Sequence, residues 1–250
     1  MAYDYQPQSL AGKSVVITGG TTGIGRSTAQ RLLADGANVL IFGREEKALQ
    51  EALQDLQSGG GQVHGLTADQ SKPQDVDRVF QEADAKLGGV DILINNAALA
   101  AQSILDSDYS EWQYVVQTNL LGYMACCRQA IDRMKRKGAG HIVNVGSMSA
   151  KGREAGSDVY VATKSGIEGF ADALSKQVSE QGIKVTTIEP GLVGTDMTAS
   201  NTPPEEQPQK EREGEMLTAE DIAECIRYAL IQPARCAIAL VQIRPQKQAI

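Results

Sequence analysis

The chain has 250 residues, 42% of them hydrophobic, which is enough for one α/β core but too little for two ordinary domains. Acidic residues outnumber basic residues by 31 to 24 and the basic ones are scattered, so nucleic acid and anionic membranes are not expected as partners. Residues 1–10 are too polar for a secretory signal, and no apolar run approaches the ~18 residues of a membrane-spanning helix. We therefore expect a cytoplasmic protein with a single domain over residues 1–250.

The first predicted strand leads directly into a glycine-rich turn. Residues 14–17 are apolar, residues 18–25 contain four glycines, and Ala29, Leu32 and Leu33 then follow at helical spacing. Glycines in such a turn let a pyrophosphate approach the free N–H groups at the start of a helix. We predict dinucleotide binding here, and a glycine turn without a ligand is the alternative. The predicted contacts in this turn are Gly19, Thr21, Thr22, Gly23, Ile24 and Gly25.

The second predicted strand, residues 39–42, ends at Gly43 and Arg44. An acidic residue near this point would suit the ribose 2′-hydroxyl of NAD, whereas an arginine suits a 2′-phosphate. We therefore predict that NADP(H) is the preferred cofactor and that NAD(H) is possible. The alternative is that Arg44 only begins an exposed helix over residues 46–56, whose acidic first turn complements the helix dipole.

Strands and helices continue to alternate along the rest of the chain. The remaining predicted strands are residues 63–66, 90–94, 141–146, 184–188 and 237–241, and the remaining predicted helices are residues 75–87, 109–137 and 160–182. Short connections between them indicate right-handed βαβ crossovers. The predicted fold is therefore a Rossmann-type, doubly wound parallel sheet of about seven strands with helices on both faces.

Candidate catalytic side chains follow the fifth predicted strand. Ser147 lies at its carboxyl end, which is the edge where parallel sheets bind ligands. Tyr160 and Lys164 are four residues apart and share one face of the next helix. A cation near a phenol favours the phenolate, so we expect Lys164 to lower the pKa of Tyr160. The alternative is that this pair is ordinary solvated surface.

Two further features bear on the site. Asn119 lies in the middle of the long helix over residues 109–137, where an asparagine can compete for backbone hydrogen bonds and loosen a turn, with a solvated or core-satisfied asparagine as the alternative. Residues 195–217 contain three prolines and eight charged residues, which predicts a mobile substrate flap, with a plain exposed loop as the alternative. The four cysteines lack CxxC spacing and only two histidines are present, so neither a metal site nor a disulfide framework is expected.

Taken together, these motifs resemble the short-chain dehydrogenase/reductase family over residues 11–241. The resemblance is carried by Thr18, Gly19, Gly23, Ile24 and Gly25, by Asn95, Asn96, Ala97 and Ala98, by Asn119, Ser147, Tyr160 and Lys164, and by Pro190, Gly191 and Thr195. It implies that Tyr160 is the general acid or base, that Lys164 binds the nicotinamide ribose, that Ser147 holds the carbonyl oxygen and that Asn119 positions a water. It also implies cofactor contacts from Asp69, Gln70, Asn96, Ala97, Tyr160, Lys164, Pro190, Gly191, Val193 and Thr195.

The resemblance implies an NADP(H)-dependent oxidoreductase that interconverts a small or medium carbonyl compound and its secondary alcohol. A 3-oxoacyl thioester reductase is an alternative, although the sequence after Val241 lacks the Asp-Gly-Gly usual in such enzymes and the flap is acidic. A non-catalytic dinucleotide-sensing protein is a second alternative, but such a protein has no use for a tuned tyrosine. The resemblance further implies a homo-oligomer, either a tetramer or a dimer.

Overall fold

Apolar runs form the strands of one parallel sheet in the computed structural model of the chain, which describes residues 5–248. The strands are β1 (Ser14–Thr18), β2 (Asn38–Gly43), β3 (Val63–Thr67), β4 (Ile92–Asn95), β5 (Gly140–Val145), β6 (Ile183–Pro190) and β7 (Leu240–Ile243). Their order in the sheet is β3-β2-β1-β4-β5-β6-β7, and every pair is parallel. The strand order reverses between β1 and β4, and such a switch point opens a crevice at the carboxyl edge.

Helices cover both faces of this sheet. They are α1 (Gly23–Ala34), α2 (Glu46–Leu56), α3 (Pro73–Leu87), α4 (Tyr109–Val116), α5 (Gly122–Lys137), α6 (Ser149–Gly152), α7 (Asp158–Val178), α8 (Gln207–Arg212) and α9 (Ala219–Leu230). Leu33 and Ile226 place α1 and α9 in one buried cluster, and Phe80, Met134 and Leu174 place α3, α5 and α7 in the other. The predicted Rossmann-type sheet of seven strands is confirmed. Within the described residues, no helix is long and apolar enough to cross a membrane.

The long helix predicted over residues 109–137 is interrupted at Asn119. Helices α4 and α5 are joined by a π-helical turn, Gln117–Leu121, so the loosened turn that the sequence predicted is confirmed. Its physical cause differs from the one we expected. The Asn119 side chain donates to the Leu99 carbonyl at 2.8 Å and accepts from the Leu99 N–H at 2.8 Å, so it ties the helix to the loop after β4.

The last third of the chain differs most from the sequence prediction. Helix α9 was not predicted, although Thr218 and Asp221 form a capping box at its start, which is a readable signal. Strand β7 begins at Leu240, three residues later than predicted. Residues 195–217 are not irregular throughout, because they contain a 3-10 turn, Asp196–Thr198, and helix α8. Gln207 anchors α8 by donating to the carbonyls of Thr195 at 3.2 Å and Thr202 at 3.0 Å.

Buried His141 should make the fold sensitive to acid. Its Nε2 lies 2.8 Å from Thr186 Oγ1, and Thr186 in turn donates its hydroxyl hydrogen to the Ile238 carbonyl, so Nε2 must carry the proton. Burial, together with the charge of Lys184, lowers the pKa of His141 to about 3. The ordinary pKa of an unfolded histidine is about 6.5, so the unfolded chain binds the extra proton first. The contribution of His141 to the free energy of unfolding is therefore present above about pH 6.5 and is lost as the pH falls toward 3.

We expect His141→Gln to remove this acid sensitivity. In the wild-type protein, His141 alone should lower the free energy of unfolding by about 3 kcal/mol between pH 6.5 and pH 4. Urea unfolding at several pH values would measure the slope for both proteins. An equal slope in the variant would contradict the assignment of acid sensitivity to this side chain.

Candidate active site

The carboxyl ends of the strands surround a cavity of about 780 Å³. Most of the predicted site residues line it, namely Gly19, Thr21, Thr22, Gly23, Ile24, Arg44, Asp69, Gln70, Asn96, Ala97, Ser147, Tyr160, Lys164, Pro190, Gly191, Val193 and Thr195. Gly25 and Asn119 lie behind the cavity wall instead. The parallel sheet therefore brings together residues that are distant in the sequence, because the carboxyl ends of its strands lie at one edge, where such sheets bind ligands.

The glycine turn packs too closely for side chains at Gly19, Gly20 and Gly25. A Cβ at Gly25 would lie 2.2 Å from the Gly19 carbonyl oxygen and 2.6 Å from Asn96 Nδ2. At Gly19 the φ angle is +63°, and a Cβ would lie 2.8 Å from Ala97 Cα. Gly25 is thus required by contact within the protein, whereas we expected it to make room for a pyrophosphate. The Thr22 side chain does not cap α1 within the described residues, which leaves the first turn of the helix open to an anion.

Two predicted cofactor contacts use their side-chain amides to brace the cavity wall. Asn96 Nδ2 donates to the Gly19 carbonyl at 3.0 Å. Gln70 Nε2 donates to the carbonyls of Ala97 at 3.0 Å and Thr118 at 2.7 Å. These amide N–H groups are therefore engaged with the protein, and they fix the glycine turn and the loop after β4 in place.

The far end of the cavity contains a charged pair that is bridged by a tyrosine. Arg44 donates to the Tyr114 hydroxyl at 2.5 Å, and Tyr114 donates to Asp69 Oδ2 at 3.1 Å. Burial tends to raise the pKa of Asp69, but hydrogen bonds from Ser71 and Tyr114 and the charge of Arg44 hold it below its ordinary value. Asp69 is therefore ionised at neutral pH. Nothing in the sequence indicated Tyr114 as a site residue, because it belongs to no motif and lies on α4.

The opposite end of the cavity contains Ser147, Tyr160 and Lys164. Lys164 is buried, its Nζ lies 5.6 Å from the centre of the Tyr160 ring, and it donates to the Val145 carbonyl at 2.8 Å. Burial raises the pKa of Tyr160, while its hydrogen bond with Ser147 lowers it, and the net direction is upward. Burial also lowers the pKa of Lys164 to about 7.

The net pKa of Tyr160 is therefore raised in this structure, because burial outweighs any lowering by Lys164. The Lys164 ammonium is directed at the Val145 carbonyl, and its own burial disfavours the charge that would stabilise a phenolate. Proton loss from Tyr160 would nevertheless place a negative charge beside Lys164, and this would favour the ammonium form again.

The segment after β6 is held from two sides. The Pro190 carbonyl accepts from the Met148 N–H at 2.9 Å, and the Gly191 N–H donates to the Ile243 carbonyl at 2.7 Å. Gln248 then accepts from the Leu192 N–H at 3.0 Å through Oε1 and also lines the cavity. Gln248 is a second site residue that the sequence analysis missed, because nothing in the sequence indicates that the end of the chain returns to this edge.

The residues present fit a dinucleotide along the whole cavity. The open first turn of α1 offers N–H groups and the positive end of a helix dipole to a diphosphate. Arg44 offers a guanidinium at one end, where a phosphate ester would find a bidentate partner. Tyr160 and Lys164 offer a proton donor and a cation at the other end.

Known proteins resemble this chain over nearly its whole length. An uncharacterised oxidoreductase of Staphylococcus aureus (strain MRSA252) is 32% identical over 237 residues, which are 94% of this chain and 98% of that protein. A short chain dehydrogenase from Burkholderia cenocepacia J2315, solved in complex with NADP, is 26% identical and superimposes with a TM-score of 0.85, covering 95% of this chain and 98% of that one. An alcohol dehydrogenase from the archaeon Thermococcus sibiricus, complexed with 5-hydroxy-NADP, has a TM-score of 0.85 at 24% identity over 95% and 98% of the two chains, and shows the fold alone.

The sequence itself matches a family model described as short chain dehydrogenase over residues 13–206, which is most of the chain. The matched region contains the glycine turn, Ser147, Tyr160, Lys164 and the segment after β6. Fold, site geometry and sequence similarity agree, and the chain therefore belongs to the short-chain dehydrogenase family of oxidoreductases.

Proposed function

We propose that this protein is an NADP(H)-dependent oxidoreductase that interconverts a small or medium carbonyl compound and its secondary alcohol by hydride transfer. The observation that carries the proposal is that one cavity joins Arg44, the glycine turn, and the group of Ser147, Tyr160 and Lys164. A phosphate-binding end and a proton-donating end joined by one cleft are what such a reaction requires.

The cofactor assignment is supported by the residues that line the cleft. The first turn of α1 would hold the diphosphate, Arg44 the 2′-phosphate, Asp69 the adenine, and residues 190–195 the nicotinamide amide. When bound, NADP(H) supplies or accepts the hydride. The Burkholderia relative, which is 26% identical, was solved with NADP, and this supports the same cofactor here.

The protein's own residues would handle the proton and the carbonyl oxygen. Tyr160 would donate its hydroxyl proton to the oxygen during reduction and take it back during oxidation. The Ser147 hydroxyl would hold the same oxygen, since it lies close enough to the Tyr160 hydroxyl to lower its pKa. Lys164 would stabilise the phenolate that Tyr160 leaves behind. Asn119 does not line the cavity. Its two hydrogen bonds with Leu99 would fix a segment of the cavity wall, and the family resemblance implies that it also positions a water.

Residues 195–217 would act as the substrate flap of this single-domain protein. Thr195, Met197 and Asn201 line the cavity, so this segment already forms part of its wall. Six of its eight charged residues are acidic, which disfavours an acidic carrier protein and therefore the 3-oxoacyl thioester alternative. The dinucleotide-sensing alternative does not explain why Lys164 is buried beside Tyr160.

We also propose that the chain forms a homo-oligomer, either a dimer or a tetramer. Tyr109, Val116 and Leu121 are exposed apolar residues, with exposed fractions of 73%, 36% and 52%. Their spacings of seven residues across α4 and five across the π turn put them on one side of the helix. An apolar stripe of this kind favours contact with a second protein surface.

The cofactor assignment predicts tighter binding of NADPH than of NADH, and Arg44→Asp should reverse this order. The substitution removes a bidentate phosphate partner and adds a like charge, so the affinity for NADPH should fall by about 100-fold or more. Fluorescence titration with both nucleotides would measure the two dissociation constants. Lys47→Asp provides a matched control, because Lys47 is exposed on the outer side of α2 and does not line the cavity. Equal affinities of the wild-type protein for both nucleotides would remove Arg44 from its assigned role.

A further inference from the structure

Tyr114 connects the two charged residues at the adenosine end of the cleft. Arg44 donates from Nη1 to the Tyr114 hydroxyl at 2.5 Å, and its guanidinium carbon lies 5.7 Å from the centre of the Tyr114 ring. The same hydroxyl donates to Asp69 Oδ2 at 3.1 Å. We propose that Tyr114 is a positioning residue for cofactor selectivity, which holds the Arg44 guanidinium ready for the 2′-phosphate of NADP(H). This inference rests on the proposed NADP(H) preference and adds the residue that makes Arg44 effective.

Tyr114 acts from behind the cavity wall. Arg44 and Asp69 line the cavity, whereas Tyr114 contacts both of them from α4 and is not itself among the lining residues. Arg44 follows β2, Asp69 follows β3, and Tyr114 lies on α4, which follows β4. The bridge therefore connects three separate parts of the fold. Tyr114 can therefore influence a bound nucleotide only through the two residues that it holds.

The bridge leaves Arg44 free to bind a phosphate. A guanidinium has five N–H donors, and the Tyr114 hydroxyl accepts only from Nη1. The donors on Nη2 and Nε stay available for a phosphate, which prefers a bidentate arginine partner. The tyrosine hydroxyl has a single hydrogen, and this hydrogen is directed at Asp69, so the direction of each hydrogen bond in the bridge is fixed.

Two physical effects follow from this geometry. Arg44 is exposed, and an exposed arginine loses considerable rotamer freedom when it binds a ligand. The Tyr114 bridge restricts Arg44 before the nucleotide arrives, so less freedom is lost on binding. The hydrogen bond to Asp69 also anchors the Tyr114 hydroxyl, because the Ser71 N–H fixes the other oxygen of that carboxylate at 2.9 Å.

NADH provides the internal comparison. It lacks the 2′-phosphate, so its affinity does not depend on where the Arg44 guanidinium lies. Asp69 would contact the adenine of both nucleotides, so any effect that passes through Asp69 changes both affinities alike. The ratio of the two dissociation constants therefore isolates the effect that Tyr114 exerts through Arg44.

The test is Tyr114→Phe, which keeps the aromatic ring and removes only the hydroxyl. We expect the dissociation constant of NADPH to rise about threefold to tenfold while that of NADH changes by less than about twofold. Fluorescence titration of each nucleotide would give both constants. Tyr109→Phe is the matched control, because Tyr109 lies on the same helix, is 73% exposed and contacts Trp112 edge to face at 6.3 Å. It should leave both constants unchanged.

A second pair of variants tests the route of the effect. In an Arg44→Ala background, adding Tyr114→Phe should leave the NADPH to NADH ratio unchanged, because the residue through which Tyr114 acts is gone. An equal change of the ratio in both backgrounds, or no change in the single variant, would overturn the inference while the NADP(H) preference stands. A wild-type protein that binds both nucleotides equally would instead refute the proposed preference, and the inference with it.

Discussion

We expect Tyr160→Phe to bind NADPH as the wild-type protein does and to turn over carbonyl substrates about 100- to 10,000-fold more slowly. Phenylalanine keeps the ring that lies 5.6 Å from Lys164 Nζ, so the wall of the cavity is retained. It removes the hydroxyl that bonds with Ser147 and that would donate the proton to the carbonyl oxygen. Turnover would be followed by NADPH absorbance with a carbonyl compound found by screening, and binding by fluorescence titration.

The separation of binding from turnover is what makes this experiment decisive. Tyr228→Phe removes the same hydroxyl from an exposed tyrosine on α9 and should change neither quantity. Unchanged turnover in Tyr160→Phe would exclude this residue as the proton donor. A thermal melt would identify a misfolded variant, since such a variant loses cofactor binding together with turnover.

The sequence predicted the sheet well because each central strand must be apolar on both faces. Every residue of β1 is buried, and a short apolar run of this kind is typical of a strand in the middle of a parallel sheet. β7 is harder to locate, because it lies at the edge of the sheet and Leu240 is 42% exposed. α9 was missed for a different reason. Its apolar positions, such as Ile222 and Ile226, follow directly after a polar segment that we interpreted as flap, so its capping box was passed over.

The cavity-lining positions were predictable where local spacing determines them. The glycine turn, Ser147 and the Tyr160 helix lie at strand ends, and a parallel sheet collects strand ends at one edge. Tyr114 and Gln248 reach the same cavity region only through tertiary contacts. No periodicity or spacing in the sequence indicates that a residue on α4 or one near the end of the chain should touch a strand end.

The direction of the Tyr160 pKa shift shows what sequence spacing leaves out. A spacing of four residues on a helix predicts that Tyr160 and Lys164 are close, and they are. The spacing contains no information on how far the two side chains are buried from solvent. Burial raises the pKa of one group and lowers that of the other, and the tertiary structure alone determines how large these effects are.

This burial leads to the second large expectation, that Lys164→Met makes the protein more stable and less active. Burial lowers the pKa of Lys164 to about 7, against about 10.4 in an unfolded chain, so holding this ammonium in the folded protein costs about 5 kcal/mol at pH 6. Methionine fills nearly the same volume without a charge. The Val145 carbonyl keeps a partner, because the Tyr123 hydroxyl also donates to it at 3.2 Å. Turnover should fall about 100-fold, since nothing would then stabilise the Tyr160 phenolate.

The pH dependence distinguishes this explanation from a simple improvement in packing. The folded pKa of Lys164 is lower than the unfolded one, so its cost is complete below pH 7 and disappears as the pH rises toward 10. The stability gained by Lys164→Met should therefore be larger at pH 6 than at pH 9 by about 2 to 3 kcal/mol in urea unfolding. Lys176→Met, at an exposed position of the same helix, should show no such difference. An equal gain in stability at both pH values would mean that the charge of Lys164 does not destabilise the folded protein.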